Sequence, residues 1–287
     1  MTAIIELPNT ALLMDGIDEL NIREHRLALP VSSDGKLIVP VGCVLVEIKV
    51  TGIWGSDMAR QAGLQHSQSV MILGCGCIGL LLGAMAKSFG ARRVVVFERQ
   101  LHRVEFARKY CADYAFHNPP RELNEATQAY ANRTSQTILA GVAGIGRGSD
   151  ICIEASGAEE CMQMGIKLCR PGGTYVQVGM YRGKHPEINM MEVCVKQLNM
   201  RGKAAHGNTS RVYYFTVNNS RLGTIRYTTN CFEGAVSMID RDLVNVKSLV
   251  SHIYDFKDSL LAFETVYNLN DGQGKNVLKT VILHGDA

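Results

Sequence analysis

Three glycines in Gly74-Cys75-Gly76-Cys77-Ile78-Gly79 stand at the G-x-G-x-x-G spacing. In that pattern the first glycine permits a tight turn out of a strand and the second lets a pyrophosphate approach the backbone. The third lets the following helix sit close to the strand. The surroundings suit the motif. Apolar Val70–Leu73 precedes it, the apolar run Gly79–Phe89 follows, and a second apolar run, Arg93–Phe97, ends in Glu98. A carboxylate about twenty residues past the last glycine can accept hydrogen bonds from ribose hydroxyls and repel a 2′-phosphate. The chemistry implied is binding of a nicotinamide dinucleotide, NAD ahead of NADP. The backbone N–H groups of Cys77 and Ile78, in the first turn of the helix, would face the phosphates. Arg99, His102 and Arg103 keep NADP open, because they either meet a 2′-phosphate or form a solvated helix start.

Residues able to hold a metal are sparse by comparison. The nine cysteines lie mostly in apolar stretches and no two stand at Cys-x-x-Cys spacing. They read as reduced, buried thiols of a cytoplasmic protein, with no structural zinc site of that type. His66 and His206 are isolated histidines in polar stretches and read as solvated surface residues.

The bulk properties narrow the setting. A chain of 287 residues, 46% hydrophobic and 20% charged, can bury a full core. A formal net charge of +3 with scattered basic residues gives no footprint for nucleic acid. Met1–Glu6 lacks the basic start of a signal peptide, and Ile78–Ala86 is too short to cross a bilayer.

The elements that must position the glycine motif follow from periodicity. Short apolar strands at Val70–Leu73, Arg93–Phe97, Asp150–Glu154 and Thr174–Val178 alternate with helices at Gly79–Phe89, Leu101–Tyr110 and Glu159–Leu168. This alternation predicts an α/β fold, a doubly wound parallel sheet of Rossmann type. Pro171-Gly172-Gly173 is expected to stop the third helix, and Glu187–Met191 to be extended. Residues 1–60 read as β, with strands at Lys36–Pro40 and Val44–Val50. Past residue 230 we expect helices at Cys231–Ile239 and Ser259–Tyr267, with strands at Leu249–Tyr254 and Lys279–Leu283. Lys203–Leu222 is polar, fits neither period, and reads as an inserted loop. The predicted domains are 1–60, 66–243 and a return segment 244–287.

With the motif placed, the chain resembles the sorbitol and xylitol dehydrogenase (D-xylulose reductase) branch of the zinc-type medium-chain alcohol dehydrogenases. Four stretches carry the resemblance: Val50–Asp57, Asp150–Glu159, Gly172–Met180 and Ile225-Arg226-Tyr227, with Val246–Glu264 similar to the family's return segment. The resemblance implies a Rossmann domain beside a GroES-like β domain, here truncated to the N-terminal segment. It implies cofactor contacts at Gly74, Gly76, Cys77, Ile78, Gly79, Glu98 and Arg103. Ser156, Val178, Gly179, Met180 and Arg226 would line the nicotinamide half. It also implies hydride transfer between NAD and a small polyol, a catalytic zinc, and homo-oligomeric assembly.

The departures from the family pattern concern the metal. Trp54 occupies the position of the zinc-binding cysteine, and an indole has no lone pair to offer. The family's Gly-His-Glu segment should follow Asp57, yet Asp57-Met58 runs directly into Ala59–Leu64. Ser56 and Asp57 remain without a metal to serve. No metal or catalytic residue is therefore assigned, and two readings stand beside an impaired polyol dehydrogenase. One is a non-catalytic dinucleotide-binding protein; the other is a defective splice or gene-model product.

Overall fold

The computed structural model describes residues 3–16, 19–31, 63–181, 185–203, 223–224 and 231–283. The expected strands at 36–50, the positions Trp54, Ser56, Asp57, His206 and Arg226, and nearly all of the 203–222 stretch lie outside the described residues. The chain divides into two compact units, Met1–Ile53 with Val250–Ala287, and Trp54–Leu249.

The first unit opens with β1 (Ala3–Gly16) and β2 (Glu19–Val31), an antiparallel pair in register from Ala3 opposite Val31. The second unit carries β3 (Ser69–Leu73), α1 (Cys77–Ser88), β4 (Arg93–Glu98), α2 (Leu101–Tyr110), β5 (Tyr114–His117) and α3 (Thr127–Gly141). There follow β6 (Ser149–Glu154), α4 (Glu159–Leu168), β7 (Cys169–Gln177), α5 (Met190–Val195), β8 (Asn199–Lys203), β9 (Gly223–Thr224) and α6 (Cys231–Asp240). The first unit then resumes with β10 (Val250–Asp255), α7 (Ser259–Asn268) and β11 (Lys279–Leu283), the two strands pairing in parallel.

The second unit is a seven-stranded sheet in the order β5-β4-β3-β6-β7-β8-β9, every adjacent pair parallel. The sheet is doubly wound, with order reversing between β3 and β6, as the alternation of periods predicts. Its central strands are continuous apolar runs because both faces are covered: Val70–Leu73 and Val94–Phe97 are all at most 1% exposed. Leu73, Phe97, Met164, Tyr130 and Tyr175 belong to one core cluster between sheet and helices. At the amino edge the Asp150 carboxylate joins β6 to β3, accepting from Ser69 N at 2.8 Å and Ser69 Oγ at 2.7 Å, and from Arg170 Nε at 2.7 Å. Burial opposes its ionisation, but these hydrogen bonds win and hold the carboxyl below its ordinary value.

Several expectations need correction. The helix α4 ends at Leu168, before Pro171, with Cys169 already extended. Its terminal carbonyls are satisfied by a side chain: Lys196 Nζ donates to the carbonyls of Ile166, Lys167 and Cys169. Met190 and Met191 begin a helix rather than continuing an extended segment, because Asn189 Oδ1 accepts from Glu192 N at 3.1 Å and caps it. Leu249 ends a 3-10 turn instead of starting β10. Lys203 closes β8 and so belongs to the sheet rather than to an inserted loop, and Gly202 and Lys203 pair with Gly223 and Thr224.

Four elements went unpredicted, β5, α3, β8 and β9. The buried stripe of α3 is Tyr130, Ala131, Thr134, Ser135 and Ile138, spaced as a helix face but half made of hydroxyl residues that carry little hydropathy. Of the seven described cysteines, all free, five are buried as expected, whereas Cys194 is exposed and Cys77 half-exposed. No described helix is long and apolar enough to cross a membrane.

Because Leu73 is fully buried on the central strand, Leu73→Ala should cost about 2–5 kcal/mol, read from urea denaturation. A cost below about 1 kcal/mol would show that this strand is not at the core.

Candidate functional site: a glycine cradle at the carboxyl edge of the sheet

Strand β3 delivers the chain to Gly74 between two neighbours, β4 and β6, both ending in glutamate. Gly74 N donates to Phe97 O at 2.8 Å, and Ala155 N donates to Leu73 O at 2.8 Å, so the turn is stitched to both sides. The Gly74 backbone has φ +99°, and a Cβ there would lie 2.9 Å from Ser156 N. Both facts call for glycine. Gly79 is required for a different reason: a Cβ on it would lie 1.9 Å from the Gly74 carbonyl oxygen. The missing side chain is what lets α1 start against the end of β3.

Gly76 faces open space. A Cβ there would meet nothing within 4 Å, and its extended backbone (φ −65°, ψ 179°) suits any residue. Gly76, Cys77 and Ile78 are half-exposed, whereas Cys75 and Gly79 are buried. No side chain caps α1, and no acidic residue stands in its first turn. The N-terminal end of this twelve-residue helix thus presents the positive end of its dipole beside the open space at Gly76. An anion such as a pyrophosphate fits this cradle, and fits only while Gly76 has no side chain.

Glu98, 8% exposed, is bound more tightly into the backbone than its expected role requires. Its Oε2 accepts from Cys75 N at 2.7 Å, and its Oε1 from Arg99 N at 2.7 Å and Gln100 N at 2.9 Å. The carboxylate therefore pins the glycine loop to the start of α2. Burial, then the nearby Glu98 charge, pushes the Cys75 thiol far above its ordinary value, and Arg103 pulls the other way. Arg103 is half-buried in the first turn of α2, within electrostatic reach of Cys75. Cys75 is thus an inert core thiol. Burial and then the Arg103 charge hold His102 below its usual value, which leaves it neutral near pH 7. Of the three residues that could greet a 2′-phosphate, His102 is thus the one whose protonated form is disfavoured. Arg99 is exposed.

On the other side of β3 the turns after β6 and β7 come together. Gly157 and Gly179 touch through their backbones: a Cβ on Gly179 would lie 2.2 Å from Gly157 N, and one on Gly157 would lie 2.3 Å from Met180 O. The structure thus gathers Gly74, Gly76, Cys77, Ile78, Gly79, Glu98, Ser156, Val178, Gly179 and Met180 along one sheet edge, with Arg103 at its flank. Sequence reasoning passed over Glu154 and Gln177, which lie beneath these turns. A glutamate closing the apolar run Ile151-Cys152-Ile153 was the signal available. His66 lies away from this edge, exposed and packed over Gly90, with Nδ1 2.7 Å from Ser67 Oγ.

Sheet order, glycine loop and flanking carboxylates define an α/β nucleotide-binding domain of the dehydrogenase type. Residues 77–213 match the zinc-binding dehydrogenase family. D-xylulose reductase A of Aspergillus niger is 34% identical over 230 residues, which cover 80% of this chain and 54% of that protein. Among solved structures, L-idonate 5-dehydrogenase from Escherichia coli aligns with a TM-score of 0.57 at 21% identity, over 79% of this chain and 53% of that one. An alcohol dehydrogenase from E. coli CFT073 complexed with NADH aligns at 0.58 and 18% identity, over 79% and 55%. The chain belongs to the zinc-type medium-chain dehydrogenases, and it spans about half the length of the curated relatives it matches.

The two glycines separate fold from binding. Gly76→Ala should leave stability within about 1 kcal/mol of the parent in urea denaturation. It should weaken binding of NADH at least tenfold, about 1.4 kcal/mol. Gly79→Ala should lose about 1–3 kcal/mol of stability as well, since a backbone atom must move. Undiminished NADH binding by Gly76→Ala would show that the cradle is not the phosphate site.

Proposed function

We propose that this chain binds a nicotinamide dinucleotide, NAD in preference to NADP, on the carboxyl edge of its parallel sheet. The observation that supports this most directly is the open cradle at Gly76, bounded by the start of α1 and by the buried Glu98. The pyrophosphate would lie on the first turn of α1, and the adenosine ribose against Glu98 and Arg103. The nicotinamide half would lie against Ser156, Val178, Gly179 and Met180, with Arg226 joining it by family resemblance. Glu98 favours NAD because a 2′-phosphate would meet a carboxylate.

In the family to which the chain belongs, the dinucleotide exchanges hydride with an alcohol, and the relative named above is a D-xylulose reductase. We assign this chain to that polyol–ketose line and infer that its own turnover is impaired. When bound, a catalytic zinc polarises the substrate hydroxyl. The donors present do not fit one. Trp54 cannot coordinate, the His and Glu of the family motif have no counterpart after Asp57, and among the described residues no group of three or more His, Cys, Asp and Glu side chains is placed to hold a metal ion. The remaining capacity is dinucleotide binding without useful polyol oxidation.

Two titrations and one assay test this reading on the purified full chain. NADH should bind saturably and about tenfold or more tighter than NADPH. Xylitol-dependent NADH formation should stay at background, and elemental analysis should find zinc well below one per chain. Equal affinity for the two cofactors would remove the role given to Glu98. Stoichiometric zinc with measurable xylitol oxidation would contradict the inference of impairment.

A further inference from the structure

Glu154 is 0% exposed and ends β6 between the two turns that flank the glycine loop on its far side. Its Oε1 accepts from Ser156 N at 2.7 Å, Ser156 Oγ at 2.5 Å and Gly157 N at 3.0 Å. Its Oε2 accepts from Gln177 Nε2 at 2.7 Å and from Gly157 N at 3.1 Å. Gln177 Nε2 also donates to Gly179 O at 2.6 Å, and Gln177 Oε1 accepts from the buried Tyr175 hydroxyl. The Glu154 main chain repeats the link, since its carbonyl accepts from Val178 N at 2.8 Å and Gly179 N at 2.9 Å. One residue thus holds the turn after β6 with both carboxylate oxygens and, through Oε2 and Gln177, the turn after β7 as well.

A buried carboxylate with this many donors is costly to desolvate and is maintained only where its partners are fixed. Burial pushes its carboxyl above the usual range against the pull of the Ser156, Gly157 and Gln177 hydrogen bonds. The geometry around it leaves no slack: a Cβ on Gly179 would lie 2.5 Å from Glu154 Oε2. In a doubly wound sheet the two halves each take one mononucleotide, and Glu98 stands on the adenosine half. The Glu154 turns therefore stand on the nicotinamide half.

We propose that Glu154, acting through Gln177, is a positioning residue that sets the spacing of the Ser156–Gly157 and Val178–Gly179 turns for the nicotinamide ring. This rests on the dinucleotide reading given above. Glu154 touches no part of the cofactor itself. Its effect falls mainly on the ring end, because the hydrogen bonds it makes end on the turns after β6 and β7 and none reaches the loop at Gly76. A glutamine at position 154 would turn one acceptor into a donor that faces N–H groups, and a methionine at position 177 would remove the bridge while nearly conserving volume.

The test compares NADH with ADP-ribose, which lacks the nicotinamide ring, on the full chain and on Glu154→Gln and Gln177→Met. Each variant should keep ADP-ribose affinity within about twofold and lose about tenfold in NADH affinity. Unchanged NADH affinity in a folded variant overturns the proposal. A parallel loss for both ligands also overturns it, since that marks a merely structural network. If Glu154→Gln does not fold, Gln177→Met decides by the same criteria. A parent chain that binds neither ligand refutes the dinucleotide reading and the proposal with it. A parent that binds ADP-ribose as tightly as NADH refutes the positioning role alone.

Discussion

The end of β3 governs the rest of this molecule's functional edge. The chain must leave a buried central strand, reverse within three residues, and start a helix close enough to share a core with the strand. It does so through a left-handed turn at Gly74 and a backbone contact at Gly79 that no side chain would allow. The close start of α1 then aims the helix's terminal donors into the space beyond the sheet, where an anion meets both the dipole and unshielded N–H groups. Without the Gly79 contact the helix would stand off and the concavity at Gly76 would close or shift.

Two buried carboxylates hold this arrangement from either side. Glu98 on β4 and Glu154 on β6 end the strands that flank β3, and each spends its oxygens on backbone N–H groups of a neighbouring turn. Neither is an ordinary ion pair. A carboxylate that accepts several amide donors can remain in a dry environment that an isolated charge would not tolerate. The two differ in what remains to do. Glu98 borders the open rim of the site, where ribose hydroxyls would compete for it, whereas Glu154 is wholly enclosed and acts only on the turns above it.

The parallel core was legible because buried strands have no polar face: Val70–Leu73 and Arg93–Phe97 are continuous apolar runs with little else they can become. The glycine loop was legible for a similar reason, since each glycine answers to a separate steric demand. What escaped reading was held by side-chain hydrogen bonds between residues far apart in sequence. Lys196 ends α4 from about thirty residues away. Asn189 starts α5 with a cap in a stretch whose composition suggested an extended chain. The α3 stripe escaped because threonine and serine fill positions that hydropathy reserves for aliphatic residues. At the site, Glu98 was found by its distance from the glycines, but its bond to Cys75 N was not, and Glu154 has no spacing rule that would single it out.

Among the described residues the glycine cradle is complete, while no group of three or more His, Cys, Asp and Glu side chains is placed to hold a metal ion. The cradle depends on backbone geometry within one unit, so it survives changes elsewhere in the chain. Amide hydrogen exchange of the full chain, with and without saturating NADH, tests this most directly. The account predicts slowed exchange at residues 75–80, 155–158 and 178–180, with α3 (Thr127–Gly141) unchanged. Slowing spread evenly over the second unit, or absent from the glycine loop while NADH is bound, would contradict it.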